Sequence, residues 1–386
     1  MNKQVLTSLF VVCSFGILNA QQDLPTPDSL LQWIASQQKN GDAFYDDGLF
    51  ASQRLHKKNV YEDNSLFFST LIALTLHSIA KEMPSESQEN IQSIYQGVRK
   101  NAFRYRSRRG RATFNYWQTD PDIPHPNAPA KYQTDKYKVP DDFDDTSMIA
   151  VLLDSPEFAQ EIRQEMVRYT ATRKKKVKTT FNRLKRSEAY GVWYADKWKQ
   201  EFDICALTNT LLFVLRYGYE LNRYDSASFS LIQESIMDEL HQKHPFVLSP
   251  YYNKTPVILY HVSRLMAMNP PGFLAELKSA IISELHSELK STEFELHKII
   301  LYTSLLRLGE TPDPIIDVKK LLEEQEEFHW FSANIMLAAG SGTFLRKTLN
   351  DSKLVPTLYW RCDPYYWTLV LEFLVLRDAT LKAPGS

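Results

Sequence analysis

Residues 65–105 read SLFFSTLIALTLHSIAKEMPSESQENIQSIYQGVRKNAFRY. The first half, 65–82, is apolar almost throughout, with Leu66, Leu71, Leu74 and Ile79 at helical spacings. A helix this hydrophobic has no wide wet face and is buried on most sides. The second half, 87–105, carries its charges on one side, as a helix lying between core and water does.

The same alternation of a polar and an apolar helical segment runs outward in both directions. Residues 27–38 precede 65–82, 87–105 precede 144–153, and 156–173 precede 205–221. Then 226–242 precede 255–268, 275–290 precede 292–308, and 315–327 precede 328–339, with 365–377 as a closing apolar helix. The pattern predicts an all-α chain, an (α/α)6 toroid of outer amphipathic and inner apolar helices, because each hairpin hides its apolar member only when neighbours cover it. An open helical solenoid is the rival arrangement.

Composition agrees with a large core: 386 residues, 44% hydrophobic and 24% charged. The net charge of −1 provides no global field for nucleic acid. Residues 1–20 read as a signal peptide: Lys3 is a basic start, 5–18 an apolar stretch, and Ala20 a small residue before Gln21-Gln22-Asp23. The expectation is one mature domain, 21–386, in the periplasm or secreted, with no transmembrane segment, since no other run reaches 18 apolar residues. Cys205 and Cys362 are left for a disulfide or for two buried thiols. No pattern of Cys and His calls for a metal, and no cofactor motif is present.

Two long connections, 106–140 and 174–203, are rich in aromatic residues, among them Trp117 and Trp193. Long aromatic loops in a compact domain serve as lids or binding elements. Both lead from an outer into an inner helix, which puts them over the same mouth. Between them falls the sharpest local feature, Val139-Pro140-Asp141-Asp142-Phe143-Asp144-Asp145-Thr146-Ser147. One or two acids suffice to cap a helix. Four in five positions repel one another, and in an enclosed site they hold at least one carboxyl protonated, as a general acid requires. A structural cap network is the other reading.

Asp142-Phe143-Asp144-Asp145 resembles the Asp-x-Asp-Asp motif of class II terpenoid cyclases of the squalene–hopene type, and Thr146-Ser147 is similar to the Thr-Ala pair often found directly after that motif. Gln38-Lys39-Asn40-Gly41-Asp42-Ala43-Phe44 resembles the Gln-Gly-aromatic repeat of that superfamily, shared with protein prenyltransferase subunits, and Gly191-Val192-Trp193 looks like the end of a second copy. The resemblance covers about forty residues. It implies an α/α toroid in which Asp144 protonates an alkene or epoxide while Asp142 and Asp145 orient it.

Other polar residues begin successive apolar helices, where each is either a cap or a member of a shared pocket. Asp203 and His261 are the further catalytic candidates. Asp63, Asn64, Trp117, Trp193, Asn209, Tyr251, Tyr252 and Tyr366 are the ligand-binding candidates. The basic runs 104–111 and 173–178 read as solvated helix ends or as a peripheral contact with acidic glycan or lipid head groups. Three functions stay open: a terpenoid-cyclase-like enzyme on an apolar isoprenoid or lipid, an exported glycan-active hydrolase or lyase, and a non-catalytic toroid binding a ligand or peptide.

Overall fold

Helix starts in this chain are marked by side chains that accept hydrogen bonds from the unpaired amides of the first turn. In the computed structural model Thr26, Asp142, Ser155, Asp203 and Asp317 do so, and Asn222 forms a reciprocal capping box with Asp225. The structure describes residues 24–130, 133–135, 138–170, 176–195, 198–268, 270, 272, 276–334 and 357–382. The expected signal peptide, 1–20, lies outside them.

Among the described residues, the helices longer than about one turn fall into two kinds. The outer ones are α1 Pro27–Ser36, α3 Ser85–Arg99, α5 Pro156–Arg168, α7 Arg223–Met237, α9 Lys278–Ser291 and α11 Val318–Glu324. Each buries one stripe, as α5 does with Ala159, Ile162 and Met166. The inner ones are α2 Leu66–Ile79, α4 Phe143–Leu153, α6 Ile204–Arg216, α8 Thr255–Met266, α10 Glu295–Arg307 and α12 Asp363–Lys382. In α12 every residue from Pro364 to Val375 is buried. The inner helices pack in a closed cycle: α2 on α4, then α6, α8, α10 and α12, which returns to α2. The outer helices lie against them, α3 on α2, α5 on α4, α7 on α6, α9 across α8 and α10, and α1 on α12.

The all-α (α/α)6 expectation is overturned by a four-stranded antiparallel sheet. Its strands are β1 Ser52–His56, β2 Asn59–Asp63, β3 Phe331–Asn334 and β4 Thr357–Arg361, in the order β2-β1-β4-β3. β1 and β2 form a hairpin within the α1–α2 connection, with Lys57 at φ 55° in the turn. β4 then pairs with β1 across some three hundred residues of chain, Arg54 opposite Trp360 and Trp360 opposite Phe331. The segment expected as the sixth inner helix, 328–339, contains β3 instead, its residues 335–339 lying outside the described part. The closely spaced aromatics Phe328, Trp330 and Phe331 lose rotamer freedom in a helix and suit a pleated surface. The inner place falls to α12.

Among the described residues, no helix is long and apolar enough to cross a membrane. Cys205 and Cys362 are both buried free thiols. Cys205 lies in α6, whereas Cys362 precedes α12, whose neighbours in the cycle are α2 and α10.

Candidate functional site

The acidic stretch is held at the start of α4 from both sides. Asp142 is extended at φ −129°, and its Oδ1 accepts the Asp145 amide at 2.7 Å. The Phe143 amide donates to the Val192 carbonyl at 2.8 Å, and the Tyr194 amide to the Asp141 carbonyl at 2.9 Å. The second long loop therefore runs beside the acidic stretch as a strand-like pair, Asp142 opposite Trp193. Phe143 turns away from the mouth and lies flat on Tyr194, ring centroids 4.0 Å apart and planes 2° apart. That orientation leaves Asp142, Asp144 and Asp145 to border a cavity of about 140 Å³.

The remaining walls are aromatic or aliphatic. Phe67 of α2, Tyr116 and Trp117 of the first loop, Val192 and Trp193 of the second, and Ala206 of α6 line it. Tyr251 and Tyr252 come from the segment before α8, and Phe331, Ala333 and Trp360 from the sheet. Phe331 stacks on Trp360 at 4.9 Å and stands edge-on to Phe67 at 5.4 Å. A cavity of this size is about that which takes a benzene-sized guest.

The three carboxyl groups have different surroundings, though each is at most 8 % exposed. Asp144 accepts the Asn209 amide at 2.5 Å and the Tyr252 hydroxyl. Asn209 accepts in turn from the Arg264 guanidinium. Burial raises the Asp144 carboxyl above its usual range, and Tyr252, Asn209 and Arg264 oppose the rise. Asp145 has one buried oxygen, Oδ1, without a hydrogen-bond partner. Burial and the neighbouring Asp142 raise it well above the usual range. Burial raises Asp142 as well, against the bonds it accepts from Asp145. Asp141 stands apart: Ser107, Thr113 and Arg111 donate to its Oδ2 at 2.6, 2.7 and 2.9 Å.

Asp203 is not at the cavity. It caps α6, accepting the Cys205 and Ala206 amides at 2.9 and 3.2 Å, the Ser249 hydroxyl at 2.6 Å and the Tyr251 amide at 2.9 Å. Burial pushes its carboxyl up to about 7, against those bonds. It thereby ties the Tyr251–Tyr252 wall to α6, while the Tyr251 carbonyl accepts the Ser332 amide of β3 at 2.9 Å. His261 lies behind Tyr252, ring centroids 5.0 Å apart, with its Nδ1 at 2.8 Å from the Val257 carbonyl. Burial holds it well below the usual histidine range, so it is neutral.

Asp63 acts on the walls from outside the cavity. Its Oδ2 accepts both the Trp117 and the Trp360 indole N–H at 3.2 Å, and Arg54 reaches it at 3.4 Å. The Asn64 amide donates to the Phe44 carbonyl at 3.2 Å, away from the site. Tyr366 donates to the Leu321 carbonyl at 2.7 Å and borders a separate small hollow. Of the ligand-binding candidates, then, Trp117, Trp193, Tyr251 and Tyr252 line the cavity, Asn209 and Asp63 support it, and Asn64 and Tyr366 lie elsewhere.

Tyr116 belongs to the first aromatic loop, whereas Phe67, Phe331, Ala333 and Trp360 carry no mark in the sequence that points to the cavity. Phe67 reads as one more core residue of α2, and the sheet residues reach the cavity only through pairing distant along the chain. The Gln38 turn is structural: its amide donates to the Gly48 carbonyl at 2.8 Å and the Ile94 carbonyl at 3.2 Å, stapling the end of α1 to α3, with Gly41 at φ 83°. Beside the acidic cavity lies a larger hollow of about 630 Å³ that shares Val139 and is bordered by Arg108, Arg109, Arg111 and Lys138. Arg108 and Lys138 pair with Asp122, and Arg111 with Asp141, so this basic run is only partly a solvated helix end. No family model, curated protein or solved structure matches the chain.

Proposed function

We propose that this protein is a terpenoid-cyclase-like enzyme that binds the end of an apolar isoprenoid or lipid in the aromatic cavity and protonates it there. The observation that carries the reading is the meeting of three buried carboxyl groups with walls that are otherwise apolar. An alkene is a weak base, so protonating it needs a strong acid in a site that water does not level. The ring faces of Phe67, Tyr116, Phe331 and Trp360 then attract the cation that forms. A sugar ring would need hydrogen-bonding partners along walls that here offer few, which sets the glycan reading behind this one. The leader-like residues 1–20 favour a reaction in the periplasm or outside the cell.

The cavity volume suits one terminal isoprene unit, about the size of a benzene ring, so farnesol is a fitting probe, with squalene as a longer one. Incubation in D2O should give isomers of the probe that carry one deuterium per turnover, read by mass spectrometry. Tight binding of both probes with no isomer and no deuterium would reject the enzyme and leave a ligand-binding protein.

A further inference from the structure

We infer that the transferable proton of this cavity sits on Asp145, and that Asp144 is a fixed carboxylate that holds the site together. The inference rests on the reading of the cavity as an acid site. Hydrogen-bond direction carries it. A guanidinium has donors only, so the Asn209 oxygen must face Arg264. That places the Asn209 NH2 against Asp144 Oδ1, which must accept. The other Asp144 oxygen is covered by the Tyr252 hydroxyl. A carboxyl group between an amide donor and a phenol, one amide away from a buried cation, has both oxygens engaged by donors, and these favour its charged form against the burial that raises it.

Asp145 has the opposite surroundings. It is 3 % exposed, borders the cavity, and its Oδ1 has no partner. A buried charge with an unpaired oxygen is costly, whereas a neutral carboxylic acid there is not. Its neighbour Asp142 caps α4 and accepts from both the backbone amide and the side chain of Asp145, so the proton of the pair lies on Asp145. Burial, the Asp142 charge and the hydrogen bond that its side chain makes to Asp142 raise Asp145 well above the usual carboxyl range, in the same sense.

In the protonation step, the alkene π pair forms a C–H bond with the Asp145 proton. The O–H bonding pair stays on Asp145 as carboxylate, and the other alkene carbon becomes a cation. After rearrangement the cation gives a proton to water and Asp145 takes one back from water, so the net change is an isomerisation.

Infrared difference spectra of the full chain, in H2O and D2O at pH 7, read the protonated and ionised carboxyl bands directly. Relative to wild type, Asp145→Asn should remove one protonated-carboxyl band, and Asp144→Asn should remove a carboxylate band instead. The reverse pattern, or a carboxylate band lost in both, overturns the assignment. Should Asp144→Asn fail to fold, the Asp145→Asn spectrum decides alone. Deuterium uptake by farnesol is scored separately and should fall at least about a hundredfold in Asp145→Asn. A wild type with no uptake refutes the acid-catalysis reading, and the infrared bands still place the proton.

Discussion

Asp144 and Asp145 are adjacent in sequence and opposite in environment, and their replacement should separate them. Asp144→Asn leaves the Arg264–Asn209 chain without its anionic end, so it should cost about 1.5–3 kcal/mol, the range for hydrogen bonds to charged groups. Asp145→Asn swaps a neutral acid for a neutral amide and should change stability by less than about 1 kcal/mol. Urea unfolding of the two variants checks the order, and a larger loss at Asp145 would contradict it. The raised carboxyl groups also set a pH dependence. A carboxyl kept neutral in the folded state binds a proton that the unfolded chain has already lost above about pH 4. Stability is therefore fully present below that pH and falls as pH rises toward about 7, where Asp203 titrates, with Asp145 acting in the same direction. Each such proton contributes at most about 1.4 kcal/mol per pH unit. Urea midpoints at pH 5 and pH 8 should differ accordingly, and Asp203→Asn should shrink the difference.

At the scale of elements, the sheet is both a wall and a clamp. Trp360 of β4 is buried, stacks on Phe331 of β3 and donates to Asp63 at the end of β2. Trp360→Ala should cost about 3–5 kcal/mol, as large-to-small core changes do, and should open the cavity to an environment-sensitive dye. Trp360→Phe keeps an aromatic ring and loses the indole N–H, so about 1–2 kcal/mol is expected. Equal losses in the two variants, read by thermal melting, would mean that the ring does not clamp the sheet. The α1–α3 staple depends on backbone contact: a Cβ at Gly48 would meet the Gly97 carbonyl oxygen at 2.2 Å, and Gly48 has φ 94°. Gly48→Ala should therefore cost about 2 kcal/mol or more, measured the same way.

For the whole molecule, the cycle of inner helices closes only when α12 docks between α10 and α2. Its Glu372 meets Arg307 of α10, and Tyr260 of α8 donates to Glu372 at 2.8 Å, so three inner helices share one buried polar cluster. Glu372→Gln leaves the Arg307 charge buried without its partner and should cost about 3–5 kcal/mol. Because all six inner helices depend on one another, the loss should appear as a shift of a single cooperative urea transition. A second transition in the variant would show instead that the α10–α12 side unfolds by itself.

The inner and outer helices were legible because their signal is local. Apolar runs such as 205–221 and stripes such as that of 156–173 repeat every three or four residues, and Ile204–Arg216 and Pro156–Arg168 lie on them. The start of α4 was legible too, since acids directly before an apolar helical segment suit the unpaired amides of a helix N-terminus. Only the tertiary structure decided the rest. A strand of four or five residues has no period long enough to stand out, and β1 is a strand because β2 and β4 lie beside it. The pairing of β4 brings Phe331 and Trp360 over the cavity, while Tyr366 of α12 borders a separate hollow. The choice between Asp144 and Asp145 as the seat of the proton depends on Asn209, Arg264 and Tyr252, which come from elsewhere in the chain. Residue type determines that a carboxyl group is present; its charge is set by which donors the fold brings to each oxygen.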